Sequence, residues 1–426
     1  MKQSTFTHAS ILILGSAVSG LSFGNGFSIN EQSARTLGQA FAGRASDADN
    51  ASTIASNPAG MALLERSEFS IGAAYIDAKS SISNTNASLA VPGLGTLPVT
   101  GSNEGDMIPG ITVPYAYYVH RIDPQWSVGL GVYTPYGLKT EYEDSFQGRY
   151  LGITSDVKLI TAQPTVSYRF GNGLSLGLGI TYNDIEGELS RNSFSGAATD
   201  IRARVKGDDT GWGYNIGALY EINERTRIGI AYFSTVDYTL EGNTQLTDVP
   251  GLGNPRFDAS LDLTTPDRLD LGLTHSITPA LTLHVDVTRT YWRELDELVV
   301  ENENAPPQLA TDTEVLDWDD TWSASVGLSY RLGPQWTVRG GVGIDPSPLD
   351  GSTRSVRVPV GDRKQIAFGA TWEPTQDVSI DLGYMYFRED KARIDTTQEH
   401  AGIAYSYAAT YKNSSSIYAL QLNWKI

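Results

Sequence analysis

Strict two-residue alternation, restarting after a series of very short turns, constrains this chain more than any other feature. "WSVGLGV" from Trp126, "LSLGLGI" from Leu174, "WTVRGGV" from Trp336 and "VSIDLGY" from Val378 each set an apolar row against Ser, Gly, Thr, Asp or Arg. A period of two with that contrast is the pattern of a half-buried strand. Each run follows a tight turn: Ile122–Gln125, Gly171–Gly173, Ile222–Arg225, Ile277–Ala280, Gly333–Gln335 and Glu373–Gln376. Between them lie longer polar stretches near 82–108, 137–157, 184–207, 243–257, 301–317, 345–359 and 395–410. Short turns alternating with long loops predict an all-β, transmembrane antiparallel β-barrel of about 14 strands, both ends on the short-turn side.

Mean hydropathy is slightly negative and no run beyond the N-terminus is long and apolar enough for a spanning helix. That does not argue against a membrane barrel, whose apolar rows are diluted by every second, lumen-facing residue. Trp126, Tyr168, Phe170, Tyr220, Tyr330, Trp336 and Trp372 flank the short turns, while Tyr136, Tyr182, Tyr291, Trp318 and Tyr386 lie toward the long loops. Two such bands match the two interfaces of a bilayer. The last strand aims Tyr418, Leu420, Leu422, Trp424 and Ile426 at lipid, against Gln421, Asn423 and Lys425.

Residues 1–24 read as a signal peptide, with Lys2, a short apolar core from Ile11 to Val18, and small residues at Ser22 and Gly24. The chain has no cysteine, which excludes disulfides, thiol catalysis and thiolate metal sites. Its formal net charge of −18 makes nucleic acid a poor partner. Export without cysteine suits a Gram-negative outer membrane, with lipid and lipopolysaccharide around the barrel. Uniformly apolar outer rows favour a monomer.

Residues 25–66 precede the first strand and change character. Gly26-Phe27-Ser28-Ile29-Asn30-Glu31-Gln32-Ser33, then Leu37-Gly38, Ala42-Gly43-Arg44-Ala45 and Asn57-Pro58-Ala59-Gly60-Met61 resemble the FadL family of outer-membrane transporters. "YGLKTEYEDSFQGRY" and "DDTWSASVGLSYRL" extend the resemblance over the barrel, residues 67–426. The resemblance implies passive uptake of long-chain fatty acids or other hydrophobic molecules such as aromatic hydrocarbons or alkanes. It also implies loop capture, a lumen pocket reached by Phe27, a hatch at residues 25–66 that rearranges, and lateral exit at strand three.

The residues offer physical counterparts. Asn57 can cap the turn that Pro58 and Ala59 begin. Ala34, Leu37 and Phe41 recur at helical spacing within Ser33–Ala45. Gly129, Gly131 and Pro135 weaken strand three, although strand five carries similar glycines. Carboxylate-bearing cargo calls for a cation in apolar surroundings. Arg339 is the inward-facing candidate, although Asp262, Asp270, Asp286 and Asp381 also face inward and could pair with it. Lys139, Arg149 and Lys158 could capture cargo beside Tyr142, Phe146, Tyr150 and Leu151. The Asp312–Asp320 acidic loop reads as solvated. No serine or carboxylate constellation suggests an enzyme, and His275 and His284 should meet at the short-turn rim without holding a metal. No cofactor is expected. A general porin would begin its barrel without such a plug.

Overall fold

The computed structural model describes residues 26–426 except 105, 197–198, 352 and 401. The expected signal peptide lies outside the described residues. The wall is a closed antiparallel barrel of 14 strands. They are β1 (Glu68–Val91), β2 (Ile111–Arg121), β3 (Trp126–Tyr133, resuming at Gly137–Glu141), β4 (Thr154–Arg169), β5 (Leu174–Ser193) and β6 (Ile201–Asn223). There follow β7 (Thr226–Phe233, Val236–Thr247), β8 (Arg256–Thr265, Arg268–Ser276), β9 (Leu281–Thr290, Glu297–Asn302) and β10 (Thr311–Val315, Thr321–Arg331). β11 (Trp336–Asp345), β12 (Arg363–Trp372), β13 (Val378–Glu389) and β14 (Ile403–Lys425) complete the set. β1 and β14 close it, paired from Glu68 against Lys425 to Ala90 against Ala404 with one register shift between Ser83 and Asn86.

The six short turns fall where the alternation places them. The long loops are more ordered than their polarity suggests: much of 184–207 is paired strand. There Glu186–Lys206 (2.5 Å) and Glu188–Arg204 (2.6 Å) join the arms of one hairpin across the ladder. The lipid-facing rows are as expected on β1 and β14, with Tyr75, Tyr418 and Trp424 exposed and Gln421 and Asn423 buried. Trp126 packs on Tyr168 at 4.7 Å, and Trp336 stacks on Trp372, as a girdle near the short turns.

Four strands break and change phase. In β3, β7, β8 and β10 the residues facing the lumen above the break have the opposite parity to those below it. Thr134–Tyr136, Ser234–Thr235, Pro266–Asp267 and Leu316–Asp320 make the slips. This corrects three expectations. At the break in β3, Tyr136 packs on Phe27 in the lumen instead of joining the outer band. Asp262 is exposed and accepts a hydrogen bond from Thr239 Oγ1 (2.8 Å), because the break in β8 turns Leu261 and Leu263 inward instead. Trp318 leaves the outer band and is buried in the lumen.

The N-terminal segment, Gly26–Leu64, packs against the inner wall. Its only α-helix is Ala34–Leu37, shorter than the periodicity of Ser33–Ala45 predicts. The chain turns away through left-handed backbone at Ala40 (φ 55°) and Phe41 (φ 63°), where Gly38 lies against Gly369. Short 3₁₀ turns at Ala51–Ala55 and Pro58–Leu63 follow. Inward glycines on nine strands face this segment, and on seven of them they meet its backbone. A Cβ at Gly177 would lie 2.3 Å from Ala59 N, at Gly229 1.8 Å from Ala45 O, and at Gly341 2.2 Å from Gln39 O. Side chains cannot replace them without moving the segment. Gly229→Val should therefore leave a barrel of normal heat-modifiable mobility while raising sugar flux in liposome swelling. Wild-type flux from that variant would show that the segment does not seal the lumen.

Candidate transport path

Charged and amide side chains fasten the N-terminal segment to the wall. Arg44 reaches Asp270 (3.2 Å), Thr288 Oγ1 (2.6 Å) and Asp286 (3.5 Å). Ala45 N–H donates to Asp286 (3.1 Å), and Ser46 Oγ lies 2.8 Å from Thr274 Oγ1. Within the segment Arg35 clasps Asp47 at 3.0 Å and also pairs with Asp49. Burial pushes the Asp47 carboxyl up, but Arg35 and neighbouring positive groups outweigh it and hold it well below the usual carboxylate range. Asn57 is fully buried. Its Oδ1 accepts from Ala59 N–H (3.0 Å), and its Nδ2 donates to Ala45 O (2.6 Å) and reaches Ala218 O on β6 (3.2 Å). The predicted turn cap is therefore also a bolt to the wall.

At the other end of the segment, Phe27–Ile29 completes the break in β3. Ile29 N–H donates to Pro135 O (2.8 Å), Gly137 N–H donates to Phe27 O (2.9 Å), and Ser28 bridges Tyr136. Gln32 Nε2 adds Thr134 O at 3.2 Å. Above the pair Ala116–Val132 the β2–β3 ladder stops, although β2 continues to Ile111 beside β1. Gly129 and Gly131 stay paired on both sides and make room for Ile54 and Met61, so the interruption itself belongs to Thr134–Tyr136.

Phe27 forms the floor of an apolar cavity of about 90 Å³ in the upper lumen. It packs at 5.3–6.0 Å on Tyr136, Trp292 and Trp318. Leucines 138, 240, 261, 263, 295 and 316 line the space above. A wider vestibule of about 460 Å³ lies over it, and the two share Leu189, Val205, Leu298, Glu314 and Arg357. Arg357 is buried at this junction. Its Nε donates to Glu314 (2.9 Å), and NH1 reaches Ser155 Oγ and Thr154 O, both 3.1 Å. A buried guanidinium between apolar walls, held by one carboxylate, can exchange that partner for another carboxylate.

The other predicted cations lie elsewhere. Arg339 is buried 3.6 Å from Asp381, beside a separate polar cavity of about 400 Å³ on the short-turn side. Lys139 is tied to Asp156 (2.5 Å), which Lys158 also approaches at 4.0 Å, and Arg149 to Asp200 (2.8 Å). Phe146 is buried against Tyr142 (3.9 Å), and Tyr150 donates to Asp200 (2.8 Å). His275 and His284 do not meet: His284 on β9 is buried at Ser329 and at Thr274 of β8, while His275, one step past Thr274 on β8, faces the opposite side of the wall. Sequence reasoning missed Arg357 and read Glu314 as part of a solvated acidic loop, whereas Glu314 lines the cavity and pairs with Arg357. The signal available was "SVRVPV", an arginine between valines inside a polar loop.

A closed barrel with lipid-facing rows, aromatic girdles and a segment packed in its lumen defines an outer-membrane transport barrel. The chain belongs to the outer membrane protein transport protein family (OMPP1/FadL/TodX), whose family model matches residues 15–426. It is an outer-membrane protein of the Gram-negative type. "Outer membrane protein P1" of Haemophilus influenzae is 29% identical, over 93% of this chain and 94% of that relative. The "long-chain fatty acid transport protein" of Escherichia coli K12 is 26% identical, over 93% and 95%. A Pseudomonas aeruginosa FadL homologue has the same fold, with TM-score 0.84 at 22% identity over 94% of this chain and 99% of that one. The Ralstonia pickettii toluene transporter TbuX superposes less closely, with TM-score 0.65 at 17% identity over 94% and 99%.

Asn57→Ala would strand Ala59 N–H and Ala45 O inside the lumen, a cost of about 2 to 4 kcal/mol. Tryptic cleavage after buried Arg44 should then accelerate at least about thirtyfold. An unchanged cleavage rate would mean that Asn57 does not hold the segment shut.

Proposed function

We propose that this protein moves long-chain carboxylic acids passively inward across the outer membrane. The observation that carries the reading is Arg357, a buried cation at the junction of an apolar cavity and a wide vestibule. Cargo gathers in the vestibule, its carboxylate replaces Glu314 at Arg357, and its tail enters among the leucines. The cavity is too small for a whole long chain, so the tail displaces Phe27. Displacement removes the strand that Phe27–Ile29 adds to β3, and the interruption at Thr134–Tyr136 becomes a side exit. Names borne by relatives agree with such cargo. A segment packed across the lumen fits this reading better than a general porin.

Monoaromatic hydrocarbons are the second reading. A cavity of about 90 Å³ is nearer the size of one ring than of an eighteen-carbon chain. The two part at Arg357, which a hydrocarbon does not use. Arg357→Met should weaken oleate binding to the purified protein about tenfold or more while leaving toluene unchanged. Equal loss for both, or for neither, would refute the carboxylate role. Arg357→Lys should recover part of the oleate affinity, which separates charge from packing.

Displacement has its own readout in this cysteine-free chain. Ser28 is buried beside Tyr136. A Ser28→Cys variant should react with an impermeant maleimide faster when oleate is added, and no faster with butyrate. Equal acceleration by both acids would sever opening from chain length.

A further inference from the structure

The wall lapses a second time, away from strand three. β6 and β7 are laddered from Asn215–Phe233 to Asn223–Thr226, and again from Asp208–Glu241 to Arg202–Thr247. Between these stretches Asp209–Tyr214 and Ser234–Leu240 have no ladder partners across the seam. β7 spends one residue more than β6, the same slip that reverses its phase. One main-chain bond and two side-chain acceptors stand in for the missing ladder. Ser234 N–H donates to Tyr214 O (2.9 Å), Ser234 Oγ accepts from Tyr214 N–H (3.0 Å), and the Asp209 carboxylate accepts from Thr239 N–H (2.7 Å).

Backbone without ladder partners is tolerated in a membrane wall only where it is buried in protein or lines a cavity. Here it lines one. A cavity of about 50 Å³ lies under Tyr136 and reaches Val236, Tyr238 and Tyr214. Val236 and Tyr238 face the lumen, whereas Tyr214 is exposed on the outer surface. The β6 rim carries no side chain there: it is Gly211 and Gly213, and Val236 and Tyr238 fill the space a Cβ would take. Tyr182 and Trp212, paired across β5 and β6, place the seam at the outer girdle.

One cation also points into this cavity. Arg268 is buried, lies over the Phe233 ring (4.1 Å), and among the described residues is held only by an ion pair from its Nε to Asp270 (3.2 Å). Its Nε has no hydrogen bond. A buried guanidinium so sparsely engaged is a place for a second carboxylate.

We infer that the β6–β7 seam is a second lateral portal, through which a long-chain acid leaves while Arg268 holds its carboxylate. The inference rests on the transport reading above. Cargo that has passed Phe27 and Tyr136 reaches this cavity as directly as the break in β3. Val236 and Tyr238 form the shutter, and only side-chain rotation and three hydrogen bonds separate the cavity from the outer surface.

A removable staple tests it. A Cβ at Gly213 would sit 2.7 Å from Val236 Cγ2, which brings the two β-carbons within disulfide reach of about 4 Å. Gly213→Cys with Val236→Cys is then the only disulfide the full-length chain can form. In a strain lacking its own uptake protein, the oxidised variant should take up oleate at least threefold more slowly than after reduction by dithiothreitol. Oleate affinity of the purified protein should not change. Equal uptake before and after reduction would overturn the portal. Failure of the purified wild-type chain to bind oleate would instead overturn the transport reading. If the double variant does not assemble, Val236→Ala with Tyr238→Ala, which empties the shutter, should at least double the uptake rate, and an unchanged rate would count against the portal.

Discussion

The structure depends on the approach of one backbone to another inside the barrel. A lumen-facing side chain normally keeps a luminal segment several ångströms from the wall. Here the wall residues that face the segment are glycine where Pro58, Ala59, Ala45, Gln39 and Gly38 pass. Peptide groups can then lie against the strands, and each must find a partner because water is excluded. Asn57, Asp286, Gln421 and Glu68 supply acceptors to the N–H groups of Ala59, Ala45, Ala34 and Ala51. The charged pairs at Arg44 follow from the same closeness. Once Arg44 is buried against β8 and β9, Asp270 and Asp286 must meet it, since an unpaired charge there would cost several kcal/mol, of order 3 to 5.

The phase slips decide the chemistry of the lumen. Had β8 kept its lower parity above Pro266, Asp262 and Thr264 would face inward in place of Leu261 and Leu263. β7 would offer Asp237 and Thr239 in place of Val236 and Tyr238, and β10 Asp317 and Asp319 in place of Leu316 and Trp318. The upper lumen would then be an acidic channel, hostile to an apolar chain or an anion. Breaks of a few residues instead turn an acidic row toward water and an apolar one toward the cavity. They also interrupt pairing, so the apolar cavity and the weak places in the wall have one origin.

This explains what the sequence could and could not disclose. Strand number, short turns and girdles are local signals, and alternation with turn chemistry carries them. The phase of alternation across a break is not local. Pro266 marks one slip, but Ser234–Thr235 looks like any polar pair within a strand, so Asp262 was expected inside. The glycines of β3 were legible as weak points and are in fact paired, because the partner they accommodate, Ile54, lies far away in the chain. The cations were harder still. Lys139 and Arg149 look free until Asp156 and Asp200 are brought to them, and Arg357 matters only because a distant loop folds into the barrel mouth.

The same segment touches cavity, wall and plug, and the energies involved set what could move it. Releasing Phe27–Ile29 forfeits two backbone hydrogen bonds to β3, worth about 1 kcal/mol each. It also forfeits aromatic contacts with Tyr136, Trp292 and Trp318, worth about 1 kcal/mol each. Against this, each methylene buried returns about 0.8 kcal/mol. In the proposed path, about six or seven methylenes below the carboxylate are needed to balance the loss. A longer tail exceeds that balance, whereas an acid whose few carbons fit the existing cavity gains nothing by moving Phe27. The aromatic floor is therefore a length threshold as well as a wall, and the affinity of the head at Arg357 decides only how long a tail stays to meet it.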